Sequence, residues 1–234
     1  ANLAGIVNHR RIIVPQLGAP GISAHLVKER TGFRVFYGPV RASDIPQYIK
    51  AGYKSTKEMR TVSFSWLERL ILTPTELKPA FKYFPLYALI TLLIFGLKPS
   101  GIIFGDAILE GWPFLFLGVV SGLSGGFITP LFLPVIPFHS FAVKGWLTGI
   151  IFTGLSMKLA GLYGDINGFL LSFTYIFFPM ISSFIAMQFT GATTFTSMSG
   201  VKRELTYALP AYKASAAVST LLLLVFKLEQ WGVI

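Results

Sequence analysis

The pattern of hydrophobic and polar positions along the chain changes near residue 82. Before that point, short apolar runs alternate with charged and turn-forming residues, as they do in small water-soluble α/β domains. After it, the charge-free stretches 83–97, 111–143 and 166–201 contain 15, 33 and 36 residues. Because about 20 mostly apolar residues cross the hydrocarbon of a bilayer, the second part is predicted to be a membrane domain. The predicted domains are 1–78 and 79–234.

The membrane domain divides into five predicted helices. The Thr129-Pro130 pair, followed by Pro134 and Pro137, interrupts the second charge-free stretch because proline breaks helices. A segment rich in Gly, Ser and Thr, 190–200, follows the apolar part of the third stretch. Pro210 suits the first turn of a last helix. The predicted spans are 80–98, 111–128, 138–158, 166–188 and 210–228.

The first domain alternates strand and helix signals. The predicted order is a strand at Arg11–Val14, a helix from Ser23 to Arg30, a strand at Phe33–Tyr37, a helix from Ser43 or Asp44, and further strands after Met59 and at 70–73. Such an order indicates a parallel sheet whose ligand edge lies at the C-terminal ends of the strands. The predicted fold class is therefore an α/β, partial Rossmann-like head followed by an all-α transmembrane bundle of five helices.

Composition and charge support a membrane location. The chain is 53% hydrophobic with a mean hydropathy of +0.65, whereas soluble domains are about 45–50% apolar. Of its 20 Lys and Arg residues, 13 lie in the first 82. By the positive-inside rule we expect a multi-pass protein of the cytoplasmic membrane with its head in the cytoplasm. No basic helix or aromatic stacking motif accompanies the net charge of +10, so no nucleic-acid partner is predicted.

The chain contains no cysteine. This excludes a disulfide framework, a cysteine-ligated metal centre and a catalytic thiol within these residues. The sequence starts at Ala1 without a basic segment followed by an apolar one, so no signal peptide is predicted. We expect the chain to begin partway through a longer protein.

Several polar residues have more than one interpretation. His9 and His25 have no partner at metal-ligand spacing, which favours surface or capping roles. His139 faces either the membrane interface or a water-filled cavity. Lys144 is expected to extend toward the cytoplasm, with guidance of a substrate complex or of a partner as the alternative. A group of hydroxyl residues either lines a cavity or packs under the head: Thr190, Thr193, Thr194, Thr196, Ser197 and Ser199.

Three segments carry a resemblance to a known family. They are NHRRIIVPQLGAPGISAH at 8–25, KERTGFRVFYGPVRASDIP at 28–46 and FTGATTFTSMSGVKRE at 189–204. The first two resemble the corrinoid-binding domain of the HgcA family, the membrane corrinoid proteins of microbial mercury methylation, and more distantly the corrinoid iron–sulfur protein of acetyl-CoA synthesis. The third resembles the HgcA membrane domain, as does the predicted span count. The similarity covers nearly the whole chain.

The resemblance implies a corrinoid cofactor of the cobalamin type, containing cobalt, and methyl transfer to inorganic Hg(II) to give methylmercury. It also implies three partners besides membrane lipid: the Hg(II) substrate, an HgcB-like ferredoxin with two 4Fe–4S clusters, and a methyltransferase that donates the methyl group. The family holds cobalt through a cap helix bearing a cysteine, and this chain departs from that pattern. We expect that segment to be truncated, separately encoded or lost.

The resemblance places the cofactor-binding residues in the two Gly/Pro turns after the first two strands. Glycine permits close backbone approach, the helix that Ser23 begins can receive anionic groups, and Arg41 can pair with phosphate. The alternative is that both turns are ordinary βα connections. The predicted cofactor-binding residues are Gly18, Ala19, Pro20, Gly21, Ser23, Gly38, Pro39, Val40 and Arg41. No catalytic residue and no metal ligand is predicted within the chain.

Two other functions stay open. A membrane transporter would explain the Gly and Pro interruptions and the intramembrane Lys144, but no inverted repeat of segment lengths is visible. A non-catalytic membrane anchor for a separate corrinoid domain would explain the missing cysteine.

Overall fold

The computed structural model describes residues 3–61, 65–164, 166–192 and 198–234. The chain forms two compact units, 1–63 and 64–234. The helices are α1 Leu3–Ile6, α2 Ala24–Thr31, α3 Ile45–Lys50, α4 Trp66–Lys82, α5 Phe84–Gly96, α6 Phe104–Leu123, α7 Thr129–Leu131, α8 Phe141–Leu159, α9 Gly168–Gln188 and α10 Met198–Gln230. The strands are β1 Arg11–Val14, β2 Arg34–Tyr37, β3 Leu97–Lys98 and β4 Gly101–Ile102.

The first unit contains one crossover between parallel strands. β1 pairs with β2 so that Arg11 lies opposite Arg34, and α2 connects the two strands. The connecting helix ends at Gly32, which has a φ of 74° and whose amide donates to the Lys28 carbonyl at 2.9 Å. Glycine takes this left-handed conformation without a Cβ clash. The strand–helix–strand order therefore forms where the residue pattern predicted it.

The prediction of a partial Rossmann-like head is nevertheless wrong. In the part of the chain that the structure describes, the parallel sheet has two strands, and the other sheet is the short β3–β4 hairpin of the second unit. The expected strand after Met59 is replaced by a 3-10 turn, Glu58–Arg60, and its continuation at 62–64 lies outside the described residues. Most of the described chain is helical.

The strand expected at 70–73 is part of α4. Ser65 and Glu68 form a capping box at the start of this helix: the Glu68 amide donates to Ser65 Oγ, and Ser65 N donates to Glu68 Oε2 at 2.9 Å. A run of three apolar residues does not distinguish a helix from a strand, whereas a capping box favours the helix. α4 belongs to the second compact unit, which covers 64–234.

The second unit is a helical bundle with helices suited to a membrane. Among the described residues, three helical segments are long and apolar enough to cross one: Phe104–Leu131, Gly168–Gln188 and Ser199–Gln230. A fourth is present if α4 and α5, which are bent by about 40° relative to each other, form one span. These helices are consistent with a membrane protein.

The predicted bundle of five transmembrane helices is not what the structure contains. The first predicted span, 80–98, corresponds to α5, which has only 13 residues. The third, 138–158, corresponds to α8, which carries Lys144 and Lys158 and is not among the three apolar segments. The last helix begins at Met198 and contains Pro210 in its interior, twelve residues after its start.

Close contact between α8 and α9 organises this bundle. A Cβ on Gly145 would lie 2.5 Å from Ala186 Cβ, and one on Gly149 would lie 2.7 Å from the Pro179 Cα atom. Real side chains do not approach so closely, so the packing requires glycine at both positions. Ser182 Oγ donates to the Gly145 carbonyl at 2.8 Å across the same contact.

A polar network joins the β3–β4 hairpin, α6 and the C-terminal end of α10. Lys98 Nζ lies 2.7 Å from Glu110 Oε1, and Gln230 Nε2 donates to Glu110 Oε2 at 3.0 Å. Lys98 lies in the β3–β4 hairpin, and its hydrogen bond to Glu110 raises the pKa of the lysine above its ordinary value. The network ties the C-terminal end of α10 to the hairpin and to α6.

Candidate functional site

The two turns predicted to bind a cofactor lie side by side in the first unit. β1 leads into a 3-10 turn at Gln16–Gly21, and β2 leads into the segment 38–41. The Gly38 amide donates to the Val14 carbonyl, and the Gln16 amide donates to the Pro39 carbonyl, both at 2.9 Å. Because β1 and β2 are parallel, both turns occupy the same edge, at the C-terminal ends of the strands.

The second turn contributes mainly to the interior of the unit. Gly38, Pro39 and Val40 are buried, and the Val40 amide donates to the Met59 carbonyl at 2.8 Å. A Cβ on Gly38 would lie 2.8 Å from Ile13 Cγ2, so the glycine permits close packing of its own sheet. These three residues therefore offer little surface to a ligand.

The first turn is open. Gly18, Pro20 and Gly21 are exposed, and Ala19 is half-buried. A Cβ on Gly21 would meet nothing within 4 Å. The accessible backbone at this edge therefore comes from the turn after β1. Of the nine predicted residues, Arg41 alone has a cationic side chain, and it is also exposed.

Ser23 takes the N-cap position of α2, but its side chain does not cap the helix. Its Oγ lies 3.0 Å from His25 Nδ1 instead. This leaves the first amides of α2 available to an anionic group. His25 and His9 are both exposed, and His9 Nδ1 accepts from the Arg11 amide at 3.4 Å.

A polar cleft of about 630 Å³ adjoins Arg41. Its charged side chains are two cations and two anions, and its lining includes Arg41, Asp44, Gln47, Thr56, Lys57 and Glu58. Sequence reasoning found Arg41 but missed Thr56 and Lys57. Thr56 and Lys57 belong to no periodic pattern in the sequence that could have indicated them. The hydrogen bond between Val40 and Met59 brings their segment to the sheet edge at the C-terminal ends of β1 and β2.

The residues present fit the periphery of a corrinoid but not its metal. Exposed turn backbone, the free start of α2 and the Arg41 guanidinium suit the amide and phosphate groups of such a molecule. The chain has no cysteine. Across the described ranges, no group of three or more His, Asp or Glu side chains is placed to hold a metal ion.

In the second unit, Lys144 is held inside the protein. The residue is only 7% exposed, and its Nζ donates to the carbonyl of Leu133, which is fully buried. The expected extension of this side chain toward the cytoplasm is therefore not observed. A carbonyl partner reduces the cost of placing the ammonium in an apolar surrounding.

A groove of about 750 Å³ lies between α8 and α10. His139 and Arg203 line one part of it, and Trp146, Ala208 and Ala211 line another. Sequence reasoning named His139 but not the groove, since α10 was predicted to begin at Pro210. The twelve additional residues at the start of α10 supply much of the lining.

Hydrogen bonds fix both walls of this groove. Glu204 Oε1 accepts from Ser140 Oγ at 2.7 Å and from the Ala142 amide at 2.6 Å, which joins α10 to the start of α8. Tyr212 and Ser183 share a hydrogen bond of 2.9 Å between α10 and α9. The groove is thus a fixed feature of the helical packing.

The predicted hydroxyl group is only partly described. Thr190 is buried and donates to the Met187 carbonyl at 2.8 Å, so it packs within the bundle. Ser199 lies in the first turn of α10 and has an interaction partner. Thr193, Thr194, Thr196 and Ser197 lie outside the described residues.

No protein-family model matches the chain, and neither a curated protein nor a solved structure matches it.

Proposed function

We propose that this chain is the membrane-embedded part, and one wall of the cofactor site, of a corrinoid-dependent methyltransferase that converts Hg(II) to methylmercury. The segments 8–25, 28–46 and 189–204, which resemble the HgcA family, suggest the activity. One structural observation carries the proposal: the turns of the first two segments meet at one sheet edge, joined by the Gln16–Pro39 hydrogen bond.

In this proposal the sheet edge binds and orients the cofactor. The exposed backbone of Gly18 and Gly21 approaches the macrocycle closely, because neither residue carries a side chain. The start of α2 at Ser23 and the Arg41 guanidinium hold peripheral amide or phosphate groups. Pro39 and Val40 support this surface from beneath. When bound, a corrinoid supplies the cobalt chemistry of methyl transfer, which is a property of the cofactor.

The remaining parts of the reaction are assigned to partners. Since the 234 residues contain no cysteine, a thiolate ligand for cobalt comes from outside them. An HgcB-like ferredoxin with two 4Fe–4S clusters supplies electrons, and a separate methyltransferase supplies the methyl group. Hg(II) is the substrate.

We place the protein in the cytoplasmic membrane as a multi-pass protein with its first unit in the cytoplasm. The basis is charge: 13 of the 20 Lys and Arg residues precede residue 83, and the positive-inside rule favours their cytoplasmic location. The apolar helices α6, α9 and α10 supply the membrane attachment.

One observation favours a second candidate. Without a thiol, and without a metal-binding group among the described residues, the chain also suits a non-catalytic anchor that holds a separate corrinoid protein at the membrane. The two candidates differ in whether the sheet edge itself contacts the cofactor.

The test uses membranes containing the full gene product, the ferredoxin and a methyl donor. Isotopically labelled Hg(II) is added, and labelled methylmercury is measured by mass spectrometry. We expect methylation that falls in Arg41→Gln and is unchanged in the control Arg30→Gln, an exposed arginine at the far end of α2. Equal activity of the two variants would favour the anchor. Mercury uptake by sealed vesicles without methylation would favour a transporter.

A further inference from the structure

The charges of the first unit are distributed unevenly. Ten Lys and Arg residues and three Asp and Glu residues lie in 1–63, which leaves a net charge of +7. Two of the three acids, Asp44 and Glu58, line the cleft beside Arg41 at the C-terminal edge of the sheet. The opposite end, where both strands start, has five cations and one acid, Glu29, among its described residues. The five cations, named the basic end from here on, are Arg10, Arg11, Lys28, Arg30 and Arg34.

Strand pairing and the crossover helix bring the basic end together. Arg11 and Arg34 lie directly opposite each other in β1 and β2, so their side chains project from the same face of the sheet. The Arg34 amide donates to the Arg10 carbonyl at 2.8 Å. Lys28 and Arg30 lie in the last turn of α2, just before the chain enters β2. All five residues are exposed.

The two opposed arginines are not neutralised within the unit. Among the residues that the structure describes, no ion pair involves Arg11 or Arg34. The Arg11 guanidinium packs on aromatic rings instead, with Cζ 5.9 Å from the centroid of Phe36 and 5.5 Å from that of Tyr53. Like charges directly opposite each other destabilise a sheet. An anionic surface against this end would offset that repulsion.

We propose that the basic end lies against the anionic surface of a lipid bilayer. Clusters of roughly four to eight Lys and Arg residues close to a membrane segment are typical of proteins that bind anionic lipid. Phe36 and Tyr53, which are 41% and 45% exposed beside Arg11, suit the membrane–water interface. The chain itself connects the first unit to the apolar helices of the second, which keeps lipid at a high effective concentration. An acidic protein or a nucleic acid lacks that advantage.

Contact with lipid at the basic end leaves the other edge of the sheet free. β1 and β2 contain four residues each, so about 10 Å of strand separates the basic end from the turns that follow the strands. Gly18, Gly21 and Arg41 would therefore stay accessible from the aqueous side. Lipid binding does not depend on whether those turns hold a cofactor.

Site-specific fluorescence of the full chain tests the proposal. Because the chain has no cysteine, one introduced cysteine is the only thiol to be labelled. Asn8→Cys places a fluorophore beside the basic end and Ala42→Cys places one at the C-terminal edge, both at exposed positions. The labelled chain is reconstituted in nanodiscs of phosphatidylcholine, with or without phosphatidylglycerol, whose headgroups carry a nitroxide quencher.

We expect position 8 to be quenched more strongly when phosphatidylglycerol is present, and position 42 to be quenched weakly in both lipids. The difference should disappear at about 1 M salt, where the Debye length falls to about 3 Å.

Three double variants separate charge from packing. Arg11→Gln with Arg34→Gln should lower the ratio of lipid-bound to free first unit about 30-fold, which corresponds to roughly 1 kcal/mol for each residue. Lys57→Gln with Arg60→Gln removes the same charge near the other edge and should change that ratio little. Arg11→Lys with Arg34→Lys keeps the charge and should keep the quenching.

Three results would overturn the proposal. Equal quenching at positions 8 and 42, or equal quenching in the two lipids, would exclude a lipid contact at the basic end. Equal losses in the two glutamine variants would assign the effect to net charge alone. An unquenched position 8 whose emission shifts on addition of polyglutamate or RNA would assign the basic end to an acidic protein or a nucleic acid. The lipid and salt comparisons keep all five cations, so they decide the question even if Arg11→Gln does not fold.

Discussion

Gly145 offers the sharpest test of the helical packing. Replacing it with alanine adds a Cβ that would lie 2.5 Å from Ala186 Cβ, 2.8 Å from Ser183 Cα and 3.0 Å from the Ser182 carbonyl oxygen. Ordinary carbon contacts are about 3.5–4.0 Å, so α8 and α9 must separate by about 1 Å. The backbone atoms of α9 cannot rotate away as a flexible side chain would.

Two hydrogen bonds depend on the same close contact between α8 and α9. Ser182 Oγ donates to the Gly145 carbonyl at 2.8 Å, and Ser183 Oγ donates to the Ala142 carbonyl at 2.7 Å. Overpacking costs about 1–3 kcal/mol, and an interhelical hydrogen bond in a membrane contributes about 0.6 kcal/mol. We therefore expect Gly145→Ala to lower the free energy of unfolding by about 2–4 kcal/mol.

A thermal melt in detergent, followed by tryptophan fluorescence, measures this effect. For a unit of this size the loss corresponds to a fall in Tm of about 5–15 °C. The control is Gly105→Ala on α6, where a Cβ meets nothing within 4 Å, and alanine there should leave Tm unchanged or raise it slightly. Adding Ser182→Ala to Gly145→Ala should cost less than the same change in the wild type, because its hydrogen bond is already weakened. Equal Tm values for the two glycine variants would refute the packing argument.

Three further predictions concern single contacts. Ser65→Ala removes the capping box of α4 and should cost about 1 kcal/mol, seen as faster hydrogen exchange in the first turn of the helix; unchanged exchange would contradict the cap. Lys144→Met leaves the buried Leu133 carbonyl without its donor and should lower Tm by an amount equivalent to about 1–3 kcal/mol, whereas Lys158→Met, at an exposed position, should not. The hydrogen bond to Glu110 raises the pKa of Lys98. The contribution of this contact to stability should therefore be complete below the ordinary lysine pKa of 10.5 and lost as the pH rises through the higher folded-state pKa. A Tm that falls between pH 7 and 9 in the wild type but not in Lys98→Met would contradict this.

The sequence predicted the first unit well only where the conformation is determined by residues close together in the chain. The β-branched run of β1 and the glycine at the end of α2 specify their own conformations. The adjacency of the two turns followed from parallel pairing alone. Sequence could not indicate that Pro39 and Val40 are buried, because their burial depends on the segment around Met59, which has no periodic pattern.

The second unit was harder to predict because composition does not place helix ends. Proline at position 210 suggested a helix start, yet helices in apolar surroundings tolerate proline when other groups satisfy the freed carbonyl. The groove depends on contacts such as Glu204 with Ser140, 64 positions apart. No local pattern encodes a contact of that separation.

The corrinoid content of the purified full gene product tests the central claim most directly. Visible absorbance after purification in the dark should show a bound corrinoid in the wild type and its loss in Gly21→Val. The added side chain would project from the exposed edge, where a Cβ at position 21 meets nothing within 4 Å. Gly164→Val, at a second glycine whose Cβ would meet nothing within 4 Å, should retain it. Equal cofactor content in both variants would contradict a cofactor seat at the turn after β1.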